Sequence, residues 1–193
     1  MMIRSRLVAV VLVVLAAFAV GCSLKGMHEV PADRVSLTPP ADQAMVVFLR
    51  AAASASTASL FELRGSEQRF IGLLVDGTRM TYATAPGRTR FMVIGRSASF
   101  LDADLAAGKT YRVAVLIGVD PDEFIRLAPM HAGAPVSRSV QDCIDFCKWV
   151  VKGDRADAWA REHAGSIQTK KAQYLPKWES RPNRPMLTAS DGS

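Results

Sequence analysis

After Gly108 the chain alternates with a period of two. Tyr111, Val113, Val115, Ile117 and Val119 fall on one side of an extended segment, because successive side chains of a strand point to opposite faces. Such a segment needs a sheet with one face buried, and similar patterns recur upstream. Met45 to Leu49 is an apolar run bounded by Arg50, and Leu60 to Leu63 is a short strand. Phe70 to Val75 leads into Asp76-Gly77, a dipeptide suited to the positive φ angles of a type I′ hairpin, from which Thr78 to Thr84 returns. Pro86-Gly87 has the residue order of a type II turn, Arg90 to Ile94 follows as a strand, and Phe124 to Leu127 closes the series. The expected fold is mainly β: an antiparallel β-sandwich of about seven short strands spanning residues 44–130.

The period changes in the last third of the chain. Ser139 with Asp142 resembles the start of a capping box, and Val140, Cys143, Ile144, Cys147, Val150 and Val151 gather on one helical face that ends at Gly153. A second helical stretch begins near Asp154, with Ala156, Trp159, Ala160, His163 and Ile167 broadly on one side and a break at Gly165-Ser166. Residues 137–175 therefore read as a helical extension. Residues 176–193, with three prolines and no apolar periodicity, read as an extended or disordered tail.

The N-terminus carries the clearest statement about location. Leu7 to Val20 is an unbroken apolar run of fourteen residues preceded by Arg4 and Arg6. As a helix it is about 21 Å long, short of a bilayer core of roughly 30 Å, so it has the form of a secretory signal rather than a span. It ends in Ala19-Val20-Gly21-Cys22, which resembles the bacterial lipobox. That resemblance implies a signal peptide over residues 1–21, cleavage between Gly21 and Cys22, and covalent diacylglycerol and N-acyl lipid on Cys22. Two or more chains, at about 0.8 kcal/mol per buried CH₂, hold a protein stably on a membrane. The same resemblance implies, from Ser23 standing where Asp would direct inner-membrane retention, an outer-membrane address facing the periplasm. Residues 22–43, with mixed charge and two proline-containing patches, read as a lipid-proximal tether.

The segments AMVVFLR (Ala44 to Arg50), FIGLLVDGTRMTYATAPGRTRFMVIG (Phe70 to Gly95) and LAAGKTYRVAV (Leu105 to Val115) resemble an uncharacterised group of bacterial lipoproteins. Their globular part is a small sandwich related to transthyretin-like or carboxypeptidase-regulatory-like domains. AWAREHAGSI (Ala158 to Ile167) and YLPKW (Tyr174 to Trp178) look like the helical extension of some members. The resemblance implies fold and envelope location; it brings no reaction and no catalytic residues. Arg112 stands where members carry a second aromatic after Tyr111.

Candidate chemistry is sparse. Gly108-Lys109-Thr110 lacks the earlier glycine of a phosphate loop, since position 103 is Ala103, and a strand follows it, so a β-turn is expected. Asp102 with Asp104, and Asp120, Asp122 and Glu123, fit no calcium loop and read as solvated loop ends. His28, His131 and His163 have no zinc spacing, and His163 reads as a packed helical residue. Cys143 and Cys147 remain once Cys22 carries lipid. In a regular helix their Cβ atoms stand roughly 5–6 Å apart, whereas a disulfide needs about 3.8 Å. Either the helix is distorted and they are bonded, as an oxidising periplasm favours, or both are small buried residues. Trp149, Trp159, Tyr174 and Trp178 are expected to dock the helices on the sandwich.

Formal net charge is +6, and loss of Arg4 and Arg6 with the signal lowers it to +4. No basic stripe with interleaved aromatics appears, so nucleic acid is not an expected partner. The expected role is a non-catalytic interaction or structural module of the envelope, with no catalytic residue, metal or cofactor. Its expected partners are the membrane, through the lipid, and another envelope protein or a cell-wall component. The competing expectation is an envelope hydrolase or carbohydrate-binding accessory domain with an unrecognised site.

Overall fold

The computed structural model describes residues 26–51, 56–121 and 123–193. Gly21, Cys22 and the expected signal peptide over residues 1–21 lie outside the described residues, as does Asp122. The fold is mainly β. Its strands in chain order are β1 (Met27–Val30), β2 (Ala44–Arg50), β3 (Ala58–Arg64), β4 (Glu67–Leu74), β5 (Thr78–Thr84), β6 (Gly87–Ile94), β7 (Ala98–Leu105), β8 (Thr110–Ile117), β9 (Ile125–Pro129), β10 (Lys148–Lys152) and β11 (Met186–Leu187). Three helices, α1 (Arg138–Phe146), α2 (Asp154–Glu162) and α3 (Ala164–Glu179), fall between β9 and β11.

Two sheets face each other in a sandwich-like arrangement. The first has the order β1-β10-β5-β2-β8-β9 and the second β11-β7-β6-β3-β4. Val46 and Phe48 of β2 and Tyr111, Val113 and Val115 of β8 meet Leu60, Phe91, Val93 and Leu101 from the second sheet, all buried in one core. Phe48 and Phe91 meet edge to face, with ring centroids 5.3 Å apart. The period-two face after Gly108 is thus the core face of β8. Val119 leaves it: the strand ends at Ile117, and Val119 is fully exposed.

Several expectations need correction. The sheets are mixed rather than antiparallel, with eleven strands among the described residues instead of seven. β2 pairs parallel to β8, β10 to β5 and β11 to β7. Asp76-Gly77 does not close a hairpin: β4 pairs with β3 and β5 with β2, so this turn carries the chain from one sheet to the other. Gly77 does have a positive φ of 70°, but the turn is held by Arg50, fully buried, whose Nε donates to Asp76 at 3.1 Å while its carbonyl accepts from Gly77 N. Pro86-Gly87, with Gly87 at φ 91°, likewise crosses between sheets.

The helix around Cys143 starts earlier and ends sooner than its periodicity suggests. Ser137, rather than Ser139, caps α1 by accepting from Val140 N. Cys147 already has an extended backbone (φ −61°, ψ 142°), and Lys148–Lys152 is a strand. Trp149 and Val150 alternate there between outer and inner faces, filling the slot between β1 and β5. The predicted tether is strand from Met27, since β1 pairs with β10 from Met27↔Lys152 to Val30↔Trp149. The predicted tail is built into the fold as well. α3 continues to Glu179, β11 joins β7, Leu187 is fully buried in the core, and Ser193 exchanges two backbone hydrogen bonds with Thr110.

Candidate functional site

The β7 segment, read from sequence as part loop, places Leu101, Ala103 and Leu105 inward and directs Asp102 toward α3. Met92, Ile94 and Phe100 form an outer apolar patch on this sheet, and Ile167 and Trp178 of α3 bury against it. Trp178 lies 5.7 Å from Phe100 between ring centroids. Two guanidiniums flank the indole, Arg90 at 4.7 Å and Arg184 at 5.3 Å from its centroid. Asp102 accepts from Arg90 at 2.7 Å and lies 3.6 Å from Arg184, and Glu179 takes Arg90 through its side chain and Arg184 through its carbonyl. This network fixes where α3 ends and where the chain turns toward β11.

Beside it, between β9 and the end of α3, opens a cleft of about 670 Å³. Its rim carries Arg126, Lys177, Arg181 and Arg184 against the carboxylates of Asp120 and Glu123, and Tyr174 and Trp178 line its wall. Arg181 pairs with Glu123 at 2.5 Å. Cations thus outnumber carboxylates two to one, and the arrangement suits an anionic group on a ligand with some apolar surface.

A second polar cluster lies inside the sandwich. Glu62, 3% exposed, stands on the inward face of β3 after Leu60. Its Oε1 accepts from Thr84, Thr89 and Arg64 at 2.7, 2.9 and 3.1 Å, and its Oε2 accepts from Tyr82 at 2.7 Å. Burial pushes this carboxyl upward, but the four hydrogen bonds outweigh burial and hold it below its ordinary value. Burial and the Glu62 hydrogen bond push the Tyr82 hydroxyl up to about 12. Three donors converge on Oε1 and one on Oε2, so both oxygens of the carboxylate are held. The cluster is therefore a latch between the sheets. Sequence reading missed Glu62; a charged residue at an inward position of the β3 pattern was the available clue.

The residues singled out from sequence lie in separate places. Cys143 and Cys147 are joined by a disulfide, which the regular-helix objection does not reach because the chain leaves the helix at Cys147 and brings the two Cα atoms to 4.5 Å. Both cysteines are buried against Val47, Leu49 and Trp149, and Arg79 stacks on Trp149 at 4.1 Å while donating to the Ile144 carbonyl. Gly108-Lys109-Thr110 is a turn entering β8, with Lys109 Nζ donating to the carbonyls of Ala189 and Gly192. Asp102 and Asp104 are strand residues, not loop ends.

The histidines do not converge either. His28 sits on edge strand β1, and His131 meets Asp191 at 3.0 Å. His163, expected to be packed, is exposed at the α2–α3 junction and stacks on Trp159 at 4.3 Å. Trp159 in turn lies 6.0 Å from Phe70 of β4. Among the described residues no group of three or more His, Cys, Asp or Glu side chains is placed to hold a metal ion, and no helix is long and apolar enough to cross a membrane.

No family model matches the chain, and no curated protein matches it. Among solved structures it is similar to an NMR structure of a protein from Eubacterium rectale, at 9% identity and a TM-score of 0.33, over 49% of this chain and 94% of that one.

Proposed function

We propose that this chain is a lipid-anchored protein of the cell envelope that acts as a non-catalytic interaction module, receiving an anionic partner in the cleft between β9 and α3. One observation carries the reading: the cleft lies at the β9 edge of a six-stranded sheet whose opposite edge is β1, the strand that follows Cys22. Five strand spacings of about 4.8 Å put the two edges about 24 Å apart. Only three residues lie between Cys22 and Gly26, and the four chain steps make a leash of about 14 Å at most. Gly26 is itself tied to the fold, its carbonyl accepting from Gly153 N at 2.9 Å. An anchor at Cys22 therefore holds the β1 pole at the bilayer and presents the cleft away from it. The Cys143–Cys147 disulfide suits an oxidising envelope compartment. The lipobox and the absence of Asp after Cys22 support the outer membrane, facing the periplasm.

Two measurements test the reading. Labelled palmitate should enter the wild-type chain and fail to enter Cys22→Ser; incorporation into the variant refutes the anchor. A photo-crosslinking residue at Arg126 should capture a reproducible envelope neighbour that one at Arg88, on the exposed face of β6, does not. Equal capture at both positions refutes the cleft as the interaction site.

A further inference from the structure

Trp178 is 3% exposed, and its Nε1 has no hydrogen-bond partner in the protein. Buried indole N–H groups ordinarily find an acceptor. The ring has little freedom to seek one, being held by Phe100 and by the guanidiniums of Arg90 and Arg184. Trp178 also forms part of the cleft wall, beside Arg126, Lys177, Arg181 and Arg184.

We propose that Trp178 and these four cations form a recognition site for an oxyanion, the carboxylate or phosphate of a small ligand. The claim deepens the binding role given to the cleft and rests on it. An indole N–H and a guanidinium both donate and neither accepts, so whatever fills this site must present acceptor atoms. Negative charge on those acceptors makes the contacts charge-assisted, as the cation excess around the cleft favours.

The existing ion pairs prepare the site rather than fill it. Arg184 uses Nε toward Asp102 at 3.6 Å and Nη1 toward the Glu179 carbonyl at 3.0 Å, and Arg181 uses Nη2 toward Glu123. A guanidinium has five N–H groups, so each arginine is oriented by its carboxylate while keeping further donors. The space of about 670 Å³ exceeds what a lone phosphate or acetate fills and falls within the range of small-molecule sites.

The test uses the full chain in detergent micelles with ¹⁵N-labelled tryptophan, whose three indole signals report Trp149, Trp159 and Trp178 separately. Glucose 1-phosphate and a terminally blocked Asp-Glu dipeptide are titrated in parallel with glucose and a blocked Asn-Gln dipeptide. The Trp178 signal should move saturably with at least one anionic probe, while Trp149 and Trp159 stay still; the responding probe distinguishes phosphate from carboxylate. Arg126→Ala combined with Lys177→Ala should weaken binding about tenfold, and Trp178→Phe should bind more weakly while remaining folded. An unmoved Trp178 signal with both anionic probes, or equal movement with the uncharged pair, overturns the proposal. A neighbour still captured at Arg126 would then leave the broader binding role standing.

Discussion

The Tyr82 hydroxyl donates to Glu62 Oε2 across 2.7 Å, joining β5 of one sheet to β3 of the other inside the sandwich. Thr84 of β5 and Thr89 of β6 donate to the other oxygen of the same carboxylate. The contact makes the stability of the fold depend on protonation at this end of the sandwich. The folded state lowers the Glu62 pKa, so its contribution is complete above the ordinary value of 4.5 and is lost as pH falls through the lowered value. Tyr82 has the opposite dependence. Its raised pKa contributes stability below its ordinary value of 10.0, and that contribution is lost as pH rises toward about 12.

Glu62→Gln should lower stability by about 2 kcal/mol at neutral pH, because a charged acceptor for four donors becomes a neutral amide. It should also flatten the acid limb of the stability profile and make the alkaline loss above pH 10 smaller, since burial alone then raises the Tyr82 hydroxyl and no carboxylate adds to it. Urea unfolding measured from pH 3 to pH 11 on both proteins checks this; parallel profiles would show that the latch does not couple protonation to folding.

The Cys143–Cys147 bond closes a short loop at the end of α1. On the loop-entropy account a closure of this length stabilises by about 2 kcal/mol. Cys143→Ser with Cys147→Ser should lose roughly that amount, and the wild type should lose it on adding reductant. A thiol assay on denatured protein should find two more thiols after reduction than before. An unchanged count would show that the pair is not bonded.

Parts of this fold were legible and parts were not, for reasons that individual residues make plain. The alternation from Tyr111 to Ile117 identified β8 because burial on one face imposes it. Gly77 and Gly87 identified turns, yet the strands joined by each turn lie in different sheets, a choice made by tertiary contacts such as Arg50 with Asp76. β10 was hidden because Val150 and Val151 also continue the helical spacing of Cys143 and Cys147, and only the slot between β1 and β5 decides between the two. Leu187 is one apolar residue in a polar tail and has no period to betray its place in the core. The cleft was invisible for a related reason: Arg126 and Lys177 come from separate elements and meet only after α3 packs on β7.

The tail should behave as part of the core. Leu187 is fully buried, so Leu187→Ala should cost about 3 kcal/mol. Deleting residues 186–193 removes that side chain, the pairing along β7 and the Ser193 hydrogen bonds to Thr110, and should destabilise further. Guanidinium unfolding of both variants measures the losses. A deletion as stable as wild type would show that the tail is dispensable.

The short leash has a consequence for orientation that can be measured apart from any partner. If Cys22 is the anchor, Arg155 at the start of α2, beside Gly26 through the Gly153 contact, is held close to the bilayer, while Arg126 stands at the far edge of the sheet. A photo-crosslinking residue at Arg155 should therefore label phospholipid in native membranes, and one at Arg126 should not. Inserting about twelve Gly and Ser residues between Lys25 and Gly26 adds a coil with an end-to-end distance of about 19 Å. That lengthening should sharply reduce lipid labelling at Arg155 without changing the stability of the fold, because the insertion precedes β1. Equal labelling at the two positions in the uninserted protein would contradict a fixed pole and leave the domain free to tumble on its anchor.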